Sequence, residues 1–419
     1  MNPFDQKAVS LNQCIMDWQG IRPASYDKNT VDPYTRTRVI LMNGTEFEAN
    51  WFLHQFSRHC DDNDVRRELS LIRRLEQQQQ KLISLLKPAD ETVMEHTIGY
   101  EQLAVDLTAA LAQRENDEYV KRALDFALLE DFDHLYRYAD YMNMESGTKA
   151  ENLVGRYTEI MPGRPTISEH RYPFDDIKKH IDDKTATIQT KLCVNIITAA
   201  EQQTMNYYMN TCGTYPNECG RKLYQEIGMI EEQHVSQYGS LIDTNSTWME
   251  CLLMHQYVEC YLYYSCMQTE TDKKIKKIWE QLFEQELAHL QAAAILLKKT
   301  EGKEYQQVIG NGTFPEPLAL CSNIDYVRGV LASSVQLTAN RESYACIDDL
   351  KPDVDFFKYQ DTVNKNVNCV TSHTVIDEHI KRFGEDYRFE TMPNPVKPLQ
   401  NRKVDNIDVG RVPGSAKGC

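Results

Sequence analysis

The chain predicts an all-α fold, and three observations carry that expectation. Apolar residues recur at helical spacing from Glu46 to about residue 299. Stop and start signals punctuate the run, with Gly213 and Pro216 at one turn and Thr247-Trp248-Met249-Glu250 in capping-box form at another. The segment 62–86 is a charged helix with Leu and Ile at helical positions. At 419 residues the chain suggests two or three domains, or one large domain with appendages, and needs no disulfide or structural metal to fold.

In chain order, residues 1–45 are mixed and irregular, with Pro23, Pro33 and Gly44 as punctuation. Two helical hairpins follow the charged helix. One is formed by 90–113 and 117–142, the other by 180–212 and 217–242. The connection 143–179 between them holds Gly147, Gly155, Gly163, Pro162, Pro165 and Pro173, and can run the length of a bundle. A third hairpin, 247–268 with 272–299, follows after a very short link. Its second helix starts with Lys273, Lys274, Lys276 and Lys277, against the helix dipole, so packing must stabilise it. Shorter helices are expected at 323–337, 354–365 and 373–383, and the Pro-rich stretch 392–419 reads as an extended or disordered tail. The domains expected are an N-terminal extension 1–88, a helical domain 89–300 and a C-terminal extension 301–419.

Composition excludes several classes. A net charge of -16, from 46 basic against 62 acidic residues, argues against nucleic acid or an anionic membrane surface as partner. No run of apolar residues is long enough to span a bilayer, and the N-terminus lacks the pattern of a secretory signal. A cytoplasmic protein is expected. The 12 cysteines form no CxxC pair, so reduced thiols are expected rather than a zinc ribbon.

Shifting the chain by 100 residues lays the first hairpin on the second. Glu101 falls on Glu201, Asp131 on Glu231, and His134 on His234. Positions i and i+3 share a helix face, so Glu231 and His234 can reach one metal, as can Asp131 and His134. A Glu on each of two helices and a Glu-x-x-His on each of two others is a known di-metal ligand set. On these residues the chain resembles the ferritin-like di-iron carboxylate superfamily over about 91–242. The resemblance implies a four-helix bundle, to which the chain adds a further helical hairpin and irregular N- and C-terminal extensions. It implies one metal on Glu101 and His134, a second on Glu201 and His234, and bridging by Asp131 and Glu231. Asp131 departs from the usual Glu, and Glu130 is the alternative ligand. A competing set combines Glu201, Glu231 and His234 with Glu259, Glu286 and His289 of the third hairpin.

Carboxylates and imidazoles suit iron and manganese, as Fe/Fe, Mn/Fe or Mn/Mn. The expected activity is a di-metal oxidoreductase using dioxygen or peroxide on a small molecule, with electrons from a separate protein or from the substrate. An iron-handling or peroxide-scavenging protein and a metal-free scaffold for a protein partner are the alternatives, and a homodimer is left open.

Overall fold

The computed structural model describes residues 1–163 and 170–384, then 386, 388, 393–405 and 412. Its described residues are all-α apart from one small hairpin of strands. The helices are α1 Pro33–Arg58, α2 Asn63–Ser84, α3 Val93–Arg114, α4 Glu118–Ser146, α5 Glu151–Val154, α6 Ile188–Thr214 and α7 Glu218–Gly239. They continue with α8 Trp248–Thr269, α9 Lys273–Glu301, α10 Gln306–Ile309, α11 Ile324–Ser334, α12 Asp355–Val363 and α13 Thr371–Phe383. Strands β1 Leu337–Asn340 and β2 Ser343–Cys346 pair antiparallel, with Leu337 opposite Cys346.

Local chemistry sets the helix ends. Asp62, Asp117, Asn217 and Asp272 each accept from backbone N–H groups of the next helix's first turn, which closes a hairpin with a cap. The Asp272 carboxylate also sits where the lysines of α9 oppose the dipole. Thr247 and Glu250 cap each other's backbone at α8, as their spacing predicts.

The irregular reading of residues 1–45 requires correction, because α1 begins at Pro33. Asp32 accepts from Tyr34 N–H, and Pro33 needs no donor at its position. Residues Tyr34 to Met42 are buried on every side, so no apolar stripe marks them as a helix. Their polar members find partners instead. The Thr35 hydroxyl donates to Glu270 Oε1 at 2.6 Å, and the Arg36 Nε lies 3.4 Å from Glu91 Oε2.

The chain divides into two compact units, each drawing on separated stretches. The first comprises Met1–Thr92, Ile181–Gln203 and Ile242–Leu320. In it α1 lies along α2, α8 lies along α9, α1 meets α8, and α2 meets α9, so the four helices close a ring. Leu69, Ile72, Leu252, Leu253, Trp279 and Leu282 fill its core, each worth about 1.5–3 kcal/mol of burial. The Trp279 indole satisfies its N–H on Glu270 Oε2 at 3.1 Å.

The second unit comprises Val93–His180, Thr204–Leu241 and Cys321–Cys419. Helix α4 is its axis, packed by α3, α7, α11 and α13, and from Phe126 to Met142 it is buried on all sides. Ion pairs tie the C-terminal segments to α4: Arg137 Nη1 lies 2.7 Å from Asp405 Oδ2, and the half-buried Arg388 pairs with Asp140. Residues 393–405, expected as tail, therefore include the buried Asn394, Leu399, Arg402 and Asp405. Residues 392, 406–411 and 413–419 of that expected tail lie outside the described residues, as does Pro165 of the long connection.

No described helix is long and apolar enough to cross a membrane. The 11 described cysteines from Cys14 to Cys369 are free thiols.

Candidate metal centre

Within the second unit, α3 supplies Glu101, α4 supplies Asp131 and His134, and α7 supplies Glu231 and His234. All five are buried with 0% exposure. The i, i+3 spacing on α4 and α7 turns each carboxylate and its histidine to the same side. Glu101, His134 and Glu231 each offer a ligand atom within 4.8 Å of the others'. Asp131, Glu231 and His234 meet the same test. Glu231 belongs to both groups.

The contacts show how the imidazoles are held. His134 Nδ1 lies 2.9 Å from Glu231 Oε1. His234 Nδ1 faces Asp131 Oδ1 at 3.2 Å and Glu231 Oε2 at 3.3 Å, while its Nε2 lies 2.9 Å from Glu130 Oε2. Glu130 in turn pairs with the buried Arg171, whose other nitrogen donates to Gln237 Oε1 at 2.7 Å. A histidine anchored through one nitrogen presents the other to a metal. Glu130, weighed from sequence as a substitute ligand, thus has an arginine of its own and acts on His234 from behind. The second hairpin offers His134 no counterpart of Glu130, because the matching place in α7 is Ile230. On the other half, the Tyr208 hydroxyl donates to Glu101 Oε1 at 2.5 Å.

Electrostatics separate the two carboxylates that share His234. Burial would raise Glu231, but hydrogen bonds from His134 and then His234 overcome it and draw the carboxyl down to about 2. Burial wins at Asp131, which is raised despite the pull of His234. Asp131 Oδ2 and His134 Nε2 have no hydrogen-bond partner among the described residues. Buried polar atoms left this way carry a free-energy cost that a cation can offset. Oxygen donors with imidazole and no thiolate fit iron or manganese, so this group of Asp, Glu and His can hold a metal ion.

Glu201 and the competing set draw on residues that the first unit holds. Glu201 is buried on the part of α6 that belongs to the first unit. Of the competing set, Glu231 and His234 belong to the second unit, whereas Glu259, Glu286 and His289 belong to the first. There they meet Glu46 and Glu76, which sequence reasoning did not single out. Their signal was present: Glu46 and Glu76 stand 30 residues apart, as do Glu101 and Asp131, with Gln79 at the histidine's position. Arg171 was also missed, because it lies in an irregular connection where spacing carries no information.

No protein-family model matches the chain, and neither a curated protein nor a solved structure matches it.

Proposed function

We propose that the second unit carries a di-metal centre of ferritin-like type, with α3, α4, α6 and α7 as the bundle, and that the protein is a di-iron oxidoreductase. Its substrates would be dioxygen or peroxide together with a small molecule. The observation that supports this most is the sharing of Glu231 between two groups of ligand atoms, each with its own histidine. Glu201 is proposed as the counterpart of Glu101, on the strength of the repeated 30-residue step to Glu231.

Bound iron would supply the electrons for dioxygen or peroxide chemistry at this position. The chain's own residues prepare the site for it. Glu130 and Arg171 fix the ring of His234, so that Nδ1 stays aimed at Asp131 and Glu231. The Tyr208 hydroxyl occupies one oxygen of Glu101 and orients the carboxylate. Burial of every ligand keeps bulk water away and strengthens the field of each charge. Electrons for repeated turnover would come from a separate protein or from the substrate.

The test is oxygen uptake after anaerobic loading with ferrous iron. The wild-type chain should consume dioxygen on exposure, and Glu231→Ala should not. Equal uptake by the two proteins would end this reading.

A further inference from the structure

The first unit contains a buried polar cluster of its own, in the ring formed by α1, α2, α8 and α9. Glu46, Glu76, Glu259 and Glu286 are all 0% exposed, one on each helix. Among the described residues no lysine or arginine pairs with any of the four, and only neutral or weakly basic groups join them. Gln79 Nε2 donates to Glu286 Oε1 at 2.9 Å, and Gln256 Nε2 donates to Glu76 Oε1 and to Glu259 Oε2, both at 2.7 Å. The Tyr263 hydroxyl donates to Glu46 Oε1 at 2.5 Å, and His289 Nδ1 lies 2.9 Å from Glu286 Oε1.

Two further observations point to a ligand. Buried groups other than the acids are left unpartnered here: Gln79 Oε1 and His289 Nε2 make no hydrogen bond. One oxygen of each of the four carboxylates is also unpartnered. In addition, a cavity of about 110 Å³ lined by Glu48, Asp183, Asp243 and His255 reaches the cluster's edge. His255 Nδ1 lies 3.3 Å from the partly exposed Glu48 Oε2, and its Nε2 lies 3.5 Å from Glu259 Oε2. That chain of groups gives a cation an acidic route inward from the cavity.

We propose that this cluster is a second cation site, taking a single divalent ion of the manganese or ferrous class through Glu76, Glu259, Glu286 and His289. Oxygen donors with one imidazole suit those ions. A binding ion must displace the amide hydrogens that Gln79 and Gln256 place on three of the carboxylates. The site is therefore weaker than the centre of the second unit, which has a histidine where this one has Gln79. Restoring the imidazole by Gln79→His should strengthen it.

The probe is manganese(II), titrated into the full-length chain and counted by loss of the free-ion paramagnetic resonance signal. The starting protein carries Glu231→Ala, which removes the centre proposed for the second unit. About one equivalent should still bind, given one imidazole and three carboxylates. Adding Glu286→Gln should abolish that binding, and adding Gln79→His should tighten it at least tenfold. Glu286→Gln removes a buried charge without changing shape, so the variant should fold, as circular dichroism will verify. The proposal is overturned by no binding in the Glu231→Ala chain, by binding indifferent to Glu286→Gln, or by no tightening with Gln79→His. Should Glu231→Ala leave total binding unchanged, the di-metal reading of the second unit fails instead. Glu286→Gln in the wild-type chain then still decides this site.

Discussion

The two buried clusters are made of the same residue types and differ in what keeps them apart. In the second unit, His134 and His234 both approach Glu231, and the ligand atoms lie close enough for a metal to join them. In the first unit, Gln79 and Gln256 place amide hydrogens on the acids, and His289 is the one imidazole at the centre. Acids outside the second unit's cluster are handled differently again. Asp405, Asp386 and Glu159 each pair with a buried arginine, and Asp140 with the half-buried Arg388. An amide, Gln79, thus stands in the first unit at the position where the second has the imidazole of His134. Among these acids, Asp405 is the one whose carboxyl is held below its usual range by its arginine.

The largest effect on stability should come from breaking one of those arginine pairs. Arg137, with help from His373, overcomes burial and holds the Asp405 carboxyl below its usual range. Such a depressed group contributes stability fully above its unfolded value of about 4, and loses it as pH falls toward the folded value. Asp405→Asn should cost about 3–5 kcal/mol at neutral pH, because Arg137 is left short of a charge. The variant's stability should also fall less steeply than the wild type's below about pH 4. Urea unfolding across pH, followed by circular dichroism, measures both. An unchanged acid slope would remove the contrast between paired and unpaired acids.

A smaller effect is expected at the support for His234. Glu130→Gln should weaken metal binding in the second unit by about 10–100-fold, as losses behind a metal-bound histidine do. Arg171→Met should act in the same direction, because the charge that holds Glu130 is gone. Competition titration with a coloured chelator reads the affinity. If Glu130→Gln instead emptied the site as fully as Glu231→Ala does, Glu130 would be a ligand and the sharing of roles would be wrong.

The smallest effect tests the ring of the first unit. Thr247→Ala removes the cap of α8 and should cost about 1 kcal/mol without altering metal binding in the second unit. Thermal unfolding and metal content, measured together, check it.

The hairpins were legible because their signals are local. Asp117, Asn217, Thr247 and Asp272 stand where the caps form, between runs of helix-forming residues. The pairings Asp131 with His134 and Glu231 with His234 were legible for the same reason, since i, i+3 positions share a face. What escaped was either featureless or distant in sequence. Helix α1 is buried all round at its start and shows no stripe. Arg171 reaches Glu130 from an irregular connection. The closing of α1 and α2 on α8 and α9 joins segments separated by well over a hundred residues, and nothing near Glu46 or Glu76 announces it. The 30-residue step did mark them, but only once Gln79 is allowed in place of histidine.

The most direct test of the central claim is metal content by mass spectrometry. Wild-type chain and Glu231→Ala are to be compared after anaerobic loading with ferrous iron and removal of loose metal. A carboxylate shared by two ions predicts that Glu231→Ala loses about two per chain. Equal metal content in the two proteins would contradict the claim.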